Sequence, residues 1–227
     1  MNPLLLPVVA AQGLWLKSTI KPLPAPGGVS GGTVTGSDVA RLRLAVVGES
    51  TAAGCGVARH EDGFAGAFAG EVAARTGQTV EWAATGRYGA TARLIRERLL
   101  PSIGDDLNLV VVLAGVNDVL TGRSARQWRA DLTGIIGDLA GRTRKIVVTG
   151  VPPFTLFPAL PAVLARYLAE RASVLDQVSE QVCGRDAVFV RSDFDTVPPG
   201  FFAADRFHPS AAGYRQWAAM VAERVAQ

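Results

Sequence analysis

From residue 41 onward, short apolar runs alternate with amphipathic stretches. Five runs have the length and apolar character of buried strands: Leu42–Val47, Thr79–Ala83, Leu107–Ala114, Lys145–Gly150 and Ala187–Arg191. Between them, apolar residues recur at the spacing of helices that cover a sheet, around 64–72, 94–99, 128–139, 162–182 and 214–225. Ser124 is placed to cap the predicted helix around 128–139. This alternation predicts an α/β fold with a parallel sheet and helices on both faces.

The first 38 residues do not follow the alternation. Residues 4–16 are mostly apolar, but they are too few to span a membrane and lack the basic start of a signal peptide. Residues 21–38 are rich in Pro and Gly, which is typical of a linker. We therefore expect an apolar N-terminal arm and linker over 1–38 and one domain over 39–227.

Two roles for the arm remain open. It either docks on the domain or rests in a membrane surface, with Trp15 and Lys17 at the interface. We expect a cytoplasmic protein, with peripheral membrane contact through residues 4–16 if the second role holds.

Composition excludes some classes of function. The 227 residues are 48% hydrophobic and carry a formal net charge of +3, and the basic residues are scattered among acidic ones. No basic stripe with interleaved aromatics is present, so we expect no nucleic-acid partner. Cys55 and Cys183 have no metal-ligand spacing, and we expect each to be buried as a small apolar residue.

Polar residues with chemical potential follow the predicted strands. Ser50 lies after the first, Gly86 after the second and Asn117 after the third, while Asp205 and His208 come after the fifth. Taken singly, each fits a turn or a helix cap. Taken together, they supply a hydroxyl, an imidazole with a nearby carboxylate, and amide donors at one edge of a parallel sheet. These are the functional groups that an acyl-transfer site requires.

The blocks Val47–Ser50, Gly86, Gly115–Asp118 and Asp205–Pro209 resemble those of the SGNH hydrolases, also called the GDSL esterase and lipase family. The chain departs from the family pattern at Glu49, where the family usually has Asp. The resemblance implies a flavodoxin-like three-layer sandwich with five parallel strands, and a hydrolase without cofactor or metal.

The resemblance also implies a role for each site residue. Ser50 would be the nucleophile, His208 its base and Asp205 the group that orients His208. The backbone N–H groups of Ser50 and Gly86 and the side chain of Asn117 would form the oxyanion hole. Asp118 is interpreted as a cap or a local hydrogen-bonding group.

An apolar, Pro-rich segment at 151–161 follows the fourth predicted strand. We expect Phe154, Leu156 and Phe157 from it, together with Phe202, to form a wall for an apolar acyl group. The predicted substrate is thus a small or lipid-like carboxylic ester. Acyl transfer or thioester hydrolysis at the same site remains open, as does ligand binding without turnover. An α/β-hydrolase-fold esterase is disfavoured, because Ala52 replaces the second Gly of Gly-x-Ser-x-Gly.

Overall fold

A six-stranded sheet forms the centre of the protein, which a computed structural model describes over residues 3–20 and 23–225, without the side chains of Pro3 and Lys17. The strands are β1 (Gly31–Val34), β2 (Arg41–Gly48), β3 (Thr79–Gly86), β4 (Leu107–Leu113), β5 (Thr143–Thr149) and β6 (Val188–Val190). Their spatial order is β1-β3-β2-β4-β5-β6. β2 to β6 pair in parallel, as the apolar runs predicted.

The prediction of five strands was wrong by one. β1 lies in the segment interpreted as a linker and pairs antiparallel with β3, with Gly31 opposite Ala83 and Val34 opposite Val80. Its sequence, Gly-Gly-Thr-Val, has neither apolar alternation nor an apolar run, and its residues stay exposed or half-buried. The strand therefore forms through pairing with the sheet edge, which leaves no periodic signal in the sequence.

Seven α-helical segments accompany the sheet within the described residues. They are α1 (Leu6–Thr19), α2 (Phe64–Thr76), α3 (Ala92–Leu94), α4 (Val116–Leu120), α5 (Ala125–Leu139), α6 (Ala162–Cys183) and α7 (Ala211–Val225). α3 continues into a π-helical turn at Ile95–Leu99. Across residues 3–20 and 23–225, every helix is too short or too polar to cross a membrane.

Two apolar cores flank the sheet. Leu44 and Val46 of β2 face the core shared with α2 and α7, whereas Ala45 and Val47 face the core shared with α5 and α6. This alternation follows from the period of two along a strand. The three-layer α/β architecture is thereby confirmed.

The arm docks on the domain through one side of α1. Val9 and Leu16 are buried, and the Gln12 side chain accepts a hydrogen bond from the Leu164 N–H at 2.9 Å, at the start of α6. The other side remains uncovered: Leu14 is 72% exposed and Trp15 is 53% exposed.

The connections place the site at a topological switch point. β2 lies between β3 and β4, so the chain leaves β2 towards β3 on one side and later returns to β4 on the other. The last residue of β2, Gly48, pairs with Gly86 and Leu113. Ligands of open α/β sheets bind at such a point, beyond the carboxyl ends of the strands.

Candidate active site

Ser50 lies on a tight turn directly after β2. The Glu49 N–H donates to the Leu113 carbonyl at 3.0 Å, and the Cys55 N–H donates to the Ser50 carbonyl at 2.9 Å. The residues after Ser50 form consecutive turns, and α2 begins only at Phe64. The hydroxyl is therefore held on a hydrogen-bonded loop and not on the first turn of a helix.

A second loop brings Asp205 and His208 to the same edge. Phe202 and Pro209 form an isolated antiparallel bridge, and Arg206 between them has a φ of +58°. This left-handed residue lets the chain reverse within the bridge. Asp205 Oδ1 accepts hydrogen bonds from the N–H of Phe207 and of His208, both at 3.0 Å, which fixes the carboxylate.

Ser50, His208 and Asp205 are hydrogen-bonded in series. His208 Nε2 lies 3.0 Å from Ser50 Oγ, and His208 Nδ1 lies 2.6 Å from Asp205 Oδ2. The Asp205 side chain is 1% exposed and the His208 side chain 17%. The structure thus brings together the three residues that the sequence assigned to catalysis, in the order hydroxyl, imidazole, carboxylate.

The pKa values of the pair follow from these contacts. Burial disfavours the charged imidazole, but hydrogen bonds with Asp205 and Cys55 outweigh it and raise the pKa of His208 to about 9. Burial also disfavours the Asp205 carboxylate, yet the hydrogen bonds from the His208 ring and from two backbone N–H groups hold the pKa of Asp205 below its usual value.

Asn117 reaches the site from the first turn of α4. Its backbone N–H and its Nδ2 both donate to Glu49 Oε2, at 3.1 and 2.8 Å. Because an amide nitrogen carries two hydrogens, the bond to Glu49 uses one and leaves the other. Burial raises the pKa of Glu49 to about 7, against the lowering effect of the Asn117 hydrogen bonds.

Gly86 ends β3 against the Ser50 turn. A Cβ at this position would collide with the backbone at Ala52 and Ala53, so only glycine allows the approach. The structure thus places Gly86 beside the loop that carries Ser50.

Asp118 has a structural role that differs from the expected local one. It is fully buried, and its Oδ2 accepts a hydrogen bond from the Ala92 N–H at 2.9 Å, from a residue far away in the sequence. Its Oδ1 lies 3.4 Å from Arg123 Nε. Burial raises the pKa of Asp118 to about 6, although these two contacts lower it. The side chain ties α4 to the start of α3.

Cys55 is a residue whose place in the site the sequence analysis missed. It is buried as expected, but its thiol is a hydrogen-bonding neighbour of the His208 ring and of the Tyr88 hydroxyl. Cys55, Asp205 and His208 each bring a potential ligand atom within 4.8 Å of the others, so these three could hold a metal ion. The signal in the sequence was the position of Cys55 five residues after Ser50, inside the same turn-rich segment.

An apolar cleft opens beside Ser50 and His208. Leu156, Phe157 and Phe202, which the sequence assigned to an apolar wall, line it. Phe154 does not: it is fully buried behind Phe157, with the two ring centroids 5.3 Å apart. The short 3₁₀ turn at Phe154–Leu156 directs Phe154 into the core and Leu156 towards the cleft, which the composition of the segment did not reveal.

Further apolar residues, four of them aromatic, complete this cleft. Its lining also contains Pro152, Pro153, Phe194, Val197, Phe201, Phe207 and Trp217. The Phe157 ring lies 5.0 Å from Phe207 and 5.3 Å from Phe202, centroid to centroid. These contacts connect the segment after β5 with the loop that carries Asp205 and His208.

The fold and the Ser-His-Asp arrangement at the switch point agree with the family that the sequence blocks resemble. Residues 46–216 match the model of the GDSL-like Lipase/Acylhydrolase family, and the chain belongs to this family. The resemblance found in the sequence blocks is thereby confirmed.

A curated relative shares a quarter of its aligned residues with this chain. A GDSL-like esterase of Mycobacterium tuberculosis is 25% identical over 182 residues, which cover 76% of this chain and 58% of that protein. The match therefore spans less than two thirds of the length of that relative.

Solved structures share the fold. LAE5, an alpha/beta hydrolase enzyme from the metagenome of Lake Arreo in Spain, has a TM-score of 0.62 at 21% identity, with 82% of this chain and 94% of that chain covered. A catalytic mutant of Axe2, an acetylxylan esterase from Geobacillus stearothermophilus, has a TM-score of 0.58 at 18% identity, with coverages of 81% and 94%.

Proposed function

We propose that this protein is a serine esterase that hydrolyses carboxylic esters through an acyl-enzyme on Ser50. One observation carries the proposal: the continuous hydrogen-bonded series from Ser50 Oγ to His208 and on to the buried Asp205, at 3.0 and 2.6 Å. Membership of the GDSL-like lipase and acylhydrolase family supports it.

The proposed reaction has two halves. His208 Nε2 takes the proton of the Ser50 hydroxyl as its oxygen bonds to the ester carbonyl carbon, and Asp205 stabilises the resulting imidazolium through Nδ1–H. The N–H of Ser50, the N–H of Gly86 and the Asn117 side chain hold the oxyanion. His208 then protonates the departing alcohol. In the second half, a water molecule deprotonated by His208 attacks the acyl carbon, the carboxylic acid leaves, and His208 returns the proton to Ser50 Oγ.

The cleft favours esters with an apolar acyl group. Leu156, Phe157 and Phe202 line it beside the proposed nucleophile, and the rings of Phe157 and Phe202 contact each other. Such a surface contributes binding energy in proportion to the apolar area it covers, about 0.8 kcal/mol for each buried methylene. An acetyl group would leave most of this surface unused.

Acyl-length dependence tests this assignment. With p-nitrophenyl acetate, butyrate, hexanoate and octanoate, we expect kcat/KM to rise by up to about fourfold per buried methylene until the cleft is filled. Phe157→Ala should change the preferred length, because it removes a ring from the wall. Val174→Ala, at an exposed apolar position on α6, is the matched control and should leave the profile unchanged. A flat profile in the wild type, or the same profile in Phe157→Ala, would count against an apolar acyl pocket.

We further propose that the uncovered side of α1 makes peripheral contact with a lipid surface. Leu14 and Trp15 are exposed there, as is Leu4 just before α1, and no Asp or Glu precedes Asp38 in the chain. An apolar surface without acidic groups suits the interface of a membrane with anionic lipid.

Vesicle sedimentation tests the contact. The full chain should sediment with vesicles that contain phosphatidylserine, and the triple variant Leu4→Ser, Leu14→Ser, Trp15→Ser should remain in solution. Val174→Ser controls for the loss of one exposed apolar side chain elsewhere. Equal sedimentation of the wild type and the triple variant would remove this proposal and leave the esterase assignment untouched.

A further inference from the structure

Glu49 is a buried carboxyl group directly before Ser50. It is 3% exposed, and its backbone is fixed on both sides: its N–H donates to the Leu113 carbonyl at 3.0 Å, and its own carbonyl accepts from the Ala53 N–H at 3.1 Å. The side chain therefore leaves a rigid point between the end of β4 and the turn of the proposed nucleophile. A buried carboxyl group in this position is costly unless its oxygens have hydrogen-bond partners.

The partner of the Glu49 side chain is Asn117. One oxygen, Oε2, accepts from both the backbone N–H and the side-chain Nδ2 of Asn117, at 3.1 and 2.8 Å. Two donors of one residue that converge on one oxygen fix both the start of α4 and the rotation of the Asn117 side chain. The second hydrogen of Nδ2 then has a defined direction.

We propose that Glu49 is a positioning residue, whose carboxylate aims the Asn117 amide into the oxyanion hole of the proposed esterase. The inference rests on the proposed function, because it assigns Glu49 a role only in that reaction. Glu49 does not touch the substrate carbonyl; it acts through Asn117. The Glu49 carboxylate accepts from the backbone and from the side chain of Asn117 at once.

The ionised form of Glu49 binds the two Asn117 donors more strongly than the neutral form does. A carboxylate accepts from both N–H groups in charge-assisted hydrogen bonds, which are roughly twice as strong as those of a neutral acceptor. The pKa of Glu49, raised to about 7 by burial, makes this form pH-dependent near neutrality. The other titratable groups near Glu49 are Asp118 on α4, Tyr214 on α7 and His208, which lines the same cleft.

A double-mutant cycle tests the inference. Asn117→Ala alone should lower kcat by about 100-fold or more, which is typical of the loss of an oxyanion donor. Glu49→Gln should lower kcat by about tenfold or more and change KM less, because the lost contact acts in the transition state. In the Asn117→Ala background, Glu49→Gln should cost nothing further, because its effect passes through Asn117. Glu81→Gln, at a surface carboxylate of β3, is the matched control.

The pH profile gives a second readout that a merely structural role would not move. Below about pH 7, wild-type kcat/KM should depend on two protons, one on His208 and one on Glu49, and Glu49→Gln should reduce this to one. Glu49→Asp keeps a carboxylate and should keep the two-proton dependence. If Glu49→Gln does not fold, Glu49→Asp still decides the question, because a folded Glu49→Asp that loses the two-proton dependence would overturn the positioning role.

The outcomes separate the two proposals. Full wild-type kcat in folded Glu49→Gln, or losses that multiply with those of Asn117→Ala, would overturn the positioning role while Ser50-dependent hydrolysis stands. Absence of Ser50-dependent hydrolysis in the wild type would overturn the proposed function itself. Non-additive losses together with the change in proton dependence are the result we expect.

Discussion

His208 is hydrogen-bonded through both ring nitrogens, and this arrangement determines the pH range in which it can act as a base. Only the neutral ring can take the Ser50 proton, and the pKa of His208 is raised to about 9. The imidazolium form therefore persists until the pH approaches that value. We expect kcat/KM to increase with pH up to about 9, measured with a soluble short-chain ester under first-order conditions. Constant kcat/KM between about pH 6 and about pH 8 would contradict this pKa.

Cys55 adds to the raised pKa of His208, because its hydrogen bond favours the protonated ring. Cys55→Ala should therefore move the acidic limb of the profile to lower pH, since the imidazolium loses a partner. Cys183→Ala removes the other buried thiol, on α6 and away from the ring, and should leave the limb in place. An unchanged limb in Cys55→Ala would show that the thiol does not act on His208.

At the scale of single residues, only some side-chain positions could be predicted from the sequence. Ser50, Asp205 and His208 could be placed together because they follow parallel strands, whose carboxyl ends share one edge. The hydrogen bonds of Glu49 and the direction of the Cys55 thiol could not, because they depend on how separate loops pack. Phe154 was assigned to the cleft and lies in the core for the same reason: composition gives the apolar character of a segment but not which side of a turn each ring occupies.

At the scale of elements, α5 has the start that its sequence predicts. Ser124 Oγ accepts from the Gln127 N–H at 3.3 Å, and Gln127 Oε1 accepts from the Ser124 N–H at 3.0 Å, which together form a capping box. Ser124→Ala should lower the free energy of unfolding by about 1 kcal/mol, measured by urea denaturation. Arg126→Ala, exposed on the same helix, should change it by less than about 0.5 kcal/mol. Equal stabilities of Ser124→Ala and the wild type would contradict the cap.

Elements with a periodic signal were predictable, and those without one were not. The five parallel strands lie within a few residues of the apolar runs that indicated them. β1 was not predicted, because it forms by pairing with the sheet edge and not by burial of apolar side chains. The stretch around 94–99 was interpreted as one helix before Pro101, and it divides into the end of α3 and a π-helical turn, which a 3₁₀ turn follows at Leu100–Ser102.

At the scale of the whole molecule, Tyr214 connects the core shared with α2 and α7 to the site. This fully buried residue of α7 donates a hydrogen bond from its hydroxyl to the Cys55 carbonyl at 2.6 Å, in the loop that carries Ser50. Tyr214→Phe leaves that carbonyl without its donor and should lower the free energy of unfolding by about 1–3 kcal/mol. Tyr167→Phe, half-buried on α6, is the matched control. No difference between the two variants in urea denaturation would show that this bond is dispensable.

The role of Ser50 as the nucleophile is tested most directly by reaction with a fluorophosphonate probe, followed by peptide mass spectrometry. The wild-type protein should carry the label on Ser50, because an activated hydroxyl attacks the phosphorus centre. Ser50→Ala should take no label, and His208→Ala should react much more slowly, since the base is missing. A folded wild-type protein that remains unlabelled at Ser50, or that is labelled equally well without His208, would contradict the account.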